Sequence, residues 1–254
     1  MTRERLVVTA VAFVIAFIAA GCTDVSGNAD AVLSIEFDSL PSPSVVVGDT
    51  LRDTTGLVVT PVVRAFNFDG DEIASAPIWF QSPDSGVTVD SLTGIITADS
   101  LRSTAARIFA TVGSLQALQR VDVTLRPDSL FTVDGLDTLS YSVIDSTVNV
   151  SQPLTIKLIH GTPPNDSAVK SWLVSFAIVQ QSDPSLGELV NDAKKPSRID
   201  STNTDGVAGR AIRLHSNFLK AETDSIIVEA TAKYRGAPVA GSPVRLVVVL
   251  KPRG

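Results

Sequence analysis

The chain is poor in the residues on which catalysis, metal binding and cross-linking usually depend. Its 254 residues include one cysteine, two histidines, one methionine and two tryptophans. With Cys22 alone, no internal disulfide can form, and a fold must be held by packing. His160 and His215 sit in unlike contexts and form no His-x-x-x-His pair, so the residue pattern offers no zinc site. No Gly-x-Ser-x-Gly elbow is present, and both histidines read as surface residues rather than catalytic bases. Positive charge is also short, with 21 Lys and Arg against 27 Asp and Glu and a formal charge of −6. Such a surface repels phosphate backbones, so no nucleic-acid partner is expected. Sustained helical periodicity is missing as well. The best helical candidate, residues 101–107 with Ala105 and Ala106, is short.

What the sequence does have begins at its N-terminus. Arg3 and Arg5 precede an apolar run over residues 6–20 that only Thr9 interrupts. The run is shorter than the roughly 20 residues of a permanent span. Small residues follow it, Ala19-Ala20-Gly21, and then Cys22. A basic start, a short apolar stretch and a small-residue site predict a cleavable secretory signal over residues 1–21. The segment resembles the lipobox of bacterial lipoproteins, departing from it at Ala19, where Leu is commoner. That resemblance implies diacylation of the Cys22 sulfur, membrane attachment and a place in the cell envelope. Thr23, in place of the Asp that retains enteric lipoproteins in the inner membrane, implies the outer membrane. Losing Arg3, Glu4 and Arg5 would take the charge to −7. Residues 22–31, with Ser26, Gly27 and Asn28, read as a flexible tether.

Beyond the tether the pattern is all-β. Val, Ile, Thr and Phe gather in short runs bounded by Gly, Pro, Asp and Ser. Val121-Asp122-Val123-Thr124-Leu125 alternates as a strand with one wet face. The tetrads Phe68-Asp69-Gly70-Asp71, Thr204-Asp205-Gly206-Val207 and Tyr234-Arg235-Gly236-Ala237 place Gly where tight turns need positive φ. Pro127 ends a strand and a new apolar run opens at Leu130. This spacing predicts two tandem sandwiches, residues 32–126 and 129–252, each near the size of an Ig-like unit. Residues 160–170 and 180–200 read as extended loops.

The first half resembles group 2 bacterial Ig-like domains. The resemblance rests on Val45-Val46-Val47-Gly48-Asp49-Thr50, Ile78-Trp79-Phe80-Gln81, the run Val87 to Ala98 with Asp90-Ser91-Leu92-Thr93-Gly94, and Ile108-Phe109-Ala110-Thr111-Val112. The second half is similar to the invasin/intimin-type group. Its residues are Val169, Val174, Phe176, Gly187, Leu189, the hairpin Thr202-Asn203-Thr204-Asp205-Gly206-Val207-Ala208 and the strand over 226–232. These resemblances imply a non-catalytic structural or protein-interaction module without cofactors, or a surface adhesin for glycans or other ligands. Such domains sometimes bind calcium. Asn67, Asp69, Asp71 and Glu72 gather oxygen atoms suited to a hard cation, although a solvated turn accounts for them equally well and Gly70 is off the EF-hand position.

Core positions follow from period two. Trp79 reads as a bulky plug on a central strand. Trp172, Val174, Phe176 and Ile178 share one face, as do Val244, Leu246, Val248 and Leu250. If Trp172 is a core residue, Trp172→Ala should cost about 3–5 kcal/mol through a cavity.

Overall fold

The computed structural model describes residues 31–144, 149–215, 219 and 224–253. The expected signal over residues 1–21, Cys22 and all but the last residue of the expected tether lie outside the described residues. Eight strands come first: β1 (Ser34–Phe37), β2 (Ser44–Val46), β3 (Val63–Phe66), β4 (Trp79–Gln81), β5 (Val87–Val89), β6 (Ile96–Ala98), β7 (Ala106–Val112) and β8 (Leu115–Thr124). Twelve follow: β9 (Ser129–Asp134), β10 (Leu136–Tyr141), β11 (Leu154–Thr162), β12 (Asn165–Ala168), β13 (Leu173–Gln180), β14 (Gly187–Val190), β15 (Ile199–Ser201), β16 (Val207–Leu214), β17 (Asp224–Thr231), β18 (Lys233–Tyr234), β19 (Ala237–Pro238) and β20 (Val244–Pro252). No helix occurs among the described residues.

The strands build two sandwiches with one topology used twice. In the first, β2-β8-β7-β4 forms one layer, and the antiparallel pairs β1-β3 and β5-β6 face it. In the second, β10-β20-β17-β13-β15 faces β12-β11-β16-β14, with β9 beside β11. Each half sends its opening strand to one layer, β1 to β3 and β9 to β11, both antiparallel. Its next strand then crosses to lie parallel to the last strand, β2 on β8 and β10 on β20. The chain's own strand order therefore establishes the paired Ig-like architecture.

Alternation explains the burial. Ala106, Ile108, Ala110 and Val112 of β7 point inward, and Arg107, Phe109 and Thr111 point outward. Ala106 and Ile108 join Val121 and Val123 in a first core with Val45, Leu51 and Ile96. Val174, Phe176, Ile212, Val228, Leu246 and Val248 belong to a second, larger core. Val247 and Val249 on the opposite face of β20 are only half-buried.

Five sequence expectations need correction. Residues 101–107 are not helical, because Ala106 and Arg107 enter β7 and pair with Val121 and Arg120. Residues 160–170 are not a loop: β11 and β12 pair from Ile159 to Thr162, a hairpin hidden by its polar sequence. Residues 180–200 likewise contain β14, whose Leu189 and Val190 are buried. Trp79 is not a plug but is 52 % exposed on the terminal strand of its sheet. Phe80, the next residue, takes the inward place, since neighbours on a strand point to opposite faces. Trp172 is only partly buried and lies just before β13. Ser171, at φ 54°, turns the chain there, so the tryptophan caps the end of the core. Val174 and Phe176 are fully buried as expected.

Candidate functional site at the junction of the sandwiches

The most heavily bonded polar cluster lies where the two sandwiches meet. The connecting segment has little slack. Pro127 is buried and Leu125 packs on the second core. The Asp128 N–H donates to the Ile159 carbonyl at 2.9 Å, and the Ala240 N–H donates to the Asp128 carbonyl at 3.0 Å. The Gly161 N–H donates to Asp128 Oδ2 at 2.9 Å, and Arg126 Nε donates to Asp128 Oδ1 at 2.7 Å. His160 Nδ1 lies 3.0 Å from the Arg126 carbonyl and 2.7 Å from Asp128 Oδ2. Burial pushes the Asp128 carboxyl up, but the Gly161 N–H and the Arg126 guanidinium outweigh it and leave it lowered.

Asp49 is the centre of the cluster. It follows β2 and is 6 % exposed. Its Oδ1 accepts from the Thr50 N–H at 2.8 Å and from Arg52 Nε at 3.1 Å. Its Oδ2 accepts from Tyr234 Oη at 2.8 Å and Arg235 Nε at 2.9 Å, across the junction. Burial alone would raise this carboxyl. The hydrogen bonds from Arg235, Arg52, Thr50 and Tyr234 together hold it far below the ordinary carboxylate range. The Tyr234 hydroxyl is pushed up by burial and by donating to Asp49. Arg235 also lies over the Tyr234 ring, 5.4 Å from its centroid.

The local sequence explains how these groups arrive. Tyr234-Arg235-Gly236-Ala237 is the tip of the β18-β19 hairpin, with φ of 50° at Arg235 and 81° at Gly236, the positive pair that a type I′ turn requires. The tip presses on the turn at Asp53 to Gly56. A Cβ on Gly56 would lie 2.3 Å from the Arg235 carbonyl carbon, and one on Gly236 2.5 Å from the Thr55 carbonyl oxygen. Only glycines permit that approach.

A second set of bonds flanks the first. Ser44 Oγ donates to the Ser171 carbonyl at 2.6 Å, and Ser171 Oγ donates to Asp122 Oδ2 at 2.7 Å. Lys170 Nζ donates to the Arg102 carbonyl at 3.3 Å and lies 3.7 Å from Asp122. Between the two sets is a cavity of about 460 Å³ bordered by Ser42, Arg52, Asp53, Trp172, Thr231 and Lys233. Trp172 lies at 6.2 Å from the Tyr234 ring and donates its indole N–H to the Lys233 carbonyl at 3.2 Å.

The residues singled out in the sequence fall elsewhere or play other parts. Asn67 Oδ1 accepts from the N–H groups of Asp69 and Asp71 at 2.9 and 2.8 Å, so the turn itself uses that oxygen. Asp69, Asp71 and Glu72 are exposed, and no group of three or more His, Cys, Asp or Glu suited to a metal occurs among the described residues. His215 lies 3.4 Å from Glu188 in the second sandwich, far along the chain from His160 in its linker contact. The Tyr234 turn and the run from Val45 to Thr50 that contains Asp49 are both legible in the sequence. Their meeting is not legible there, because nothing local connects residues 185 positions apart.

Comparison with known proteins adds little beyond fold. No protein-family model matches the chain, and no curated protein matches it. Among solved structures it is similar to domains 4 and 5 of the S-layer protein SbsC, at 11% identity and a TM-score of 0.31, covering 87% of this chain and 98% of that one. It is also similar to the EC1-2 fragment of human protocadherin-24, at 14% identity and a TM-score of 0.28, covering 88% and 100%. At such scores neither likeness carries an argument about function.

Proposed function

We propose that the chain is a lipid-anchored protein of the cell envelope, acting as a non-catalytic structural or interaction module. Cys22 carries the lipid, residues 22–31 tether it, and residues 32–126 and 129–252 form two units held end to end. The observation that carries this reading is the Asp49 junction, whose bonds fix one sandwich against the other. A module that displays a surface at a distance from a membrane gains from such stiffness, since an ordered joint loses less freedom when a partner binds. In this reading the outer membrane is the site of attachment.

Spin labels on exposed positions of the two sandwiches test the joint in the full chain. A narrow distance distribution is expected, broadening in Arg235→Ala. Equal widths in both proteins would remove the stiff joint from the proposal. Lipid attachment is tested separately. Cys22→Ser should abolish palmitate labelling while leaving the β-sheet circular dichroism unchanged, and persistent labelling would overturn the anchor.

The second reading, a surface adhesin for glycans, is favoured by one observation outside the junction, the exposed Trp79.

A further inference from the structure

The outer face of the β4-β7-β8 sheet carries a combination that the fold does not need. Trp79, Thr111 and Gln116 form one cross-strand row, Gln81, Phe109 and Leu118 the next, and Arg107 and Arg120 the third. Adjacent strands are about 5 Å apart, and each row lies about 7 Å along from the last. Trp79 is 52 % exposed and Leu118 44 %. The two arginines are directly opposed, an arrangement of like charges that destabilises a ladder.

The charges are not balanced locally. Asp84 Oδ1 lies 3.0 Å from Arg107 Nη2 and 3.6 Å from Arg102 Nη2, so two guanidinium groups share one carboxylate. Arg120 is exposed and has no acidic partner among the described residues. Arg102 and Arg107 thus share Asp84, Arg120 stands opposite Arg107, and Asp122, the next outward residue of β8, lies 3.7 Å from Lys170, so cations outnumber carboxylates at this end in a chain whose total charge is −6. The arginine row closes one end of this face and the exposed indole of Trp79 the other, with Gln81, Phe109 and Leu118 in the row between them.

We propose that this face binds an acidic polysaccharide. The chemistry of such a ligand matches the rows in order. Sugar rings present C–H faces that stack on an indole and hydroxyl edges that bond to Gln81, Thr111 and Gln116. A carboxylate along the same chain reaches the arginines, where a guanidinium holds it by two parallel N–H donors. An extended polymer also suits a sheet face whose outward rows follow one another along the strands. The site is independent of the junction and gives the interaction module a class of partner.

Titration calorimetry of the full chain in detergent micelles tests it with three probes. Polygalacturonate supplies rings and carboxylates, dextran rings alone and polyglutamate carboxylates alone. Binding is expected for polygalacturonate, weakening with added salt. Trp79→Ala should weaken it at least about tenfold, as truncation of a central aromatic anchor does. Arg120→Gln should weaken it and flatten the salt dependence. Both positions are exposed, so thermal unfolding should stay at the wild-type temperature, and Phe131→Ala on the second sandwich should leave binding unchanged. No heat with polygalacturonate would overturn the proposal. Equal affinity for dextran or polyglutamate, or indifference to Trp79→Ala, would overturn it too.

Discussion

At the level of single residues, Asp49 shows how a buried carboxylate can serve as a joint. Its desolvation cost is met by donors from both sandwiches, so truncation leaves those donors without an acceptor. Asp49→Ala should therefore cost about 3 kcal/mol in urea unfolding, at the lower end for a buried charge because Arg235 is half exposed. The pH dependence has a definite sign. A carboxyl lowered on folding contributes its stabilisation above its unfolded value near 3.8, and loses it as pH falls below that value. Stability should begin to decline below about pH 4 in the wild type, the spin-label distribution should broaden only well below that pH, and both should change little with pH in Asp49→Asn. Trp172 makes a smaller demand than the sequence suggests. Since it is partly buried, Trp172→Ala should cost about 1–3 kcal/mol rather than the full cavity penalty, again read by urea unfolding.

At the level of elements, turns and fully alternating strands were legible and phase was not. Gly70, Gly206 and Gly236 all adopt positive φ as their tetrads require. The hairpin at Gly206 is pressed further by tertiary packing, since a Cβ there would lie 2.5 Å from the Leu158 carbonyl oxygen. Gly206→Ala combines that clash with left-handed backbone strain and should destabilise the fold by about 2 kcal/mol or more, measured by thermal or urea unfolding. The exposure of Trp79 is not legible in the sequence, because Ile78, Trp79 and Phe80 are consecutive apolar residues and period two cannot choose which of them faces inward. Ile178 is only half-buried because the register of β13 on β17 shifts between Ile178 and Gln180. The β11-β12 hairpin is hidden in the sequence because His160, Thr162, Asn165 and Asp166 carry none of the apolar signal that marks a half-buried strand.

At the level of the molecule, the all-β class and the repeated sandwich could be inferred from composition and turn spacing. The junction could not. Asp49, Ser171 and Tyr234 are ordinary residues in sequence and acquire their role only when two turns and two strands converge. The same is true of the arginine pair on the outer face, since Arg107 and Arg120 oppose one another only through the β7-β8 register.

The parallel clasp of each sandwich has a mechanical consequence. Because β2 lies parallel to β8 and β10 to β20, a pull on the two ends of either half drags the paired strands along one another. Their ladder bonds are then loaded together in shear rather than opened one after another. The first clasp joins three residue pairs and the second six, so tension from a distal attachment should rupture the first sandwich at the lower force. Under the proposed anchoring, the chain would yield first in the half nearer the membrane.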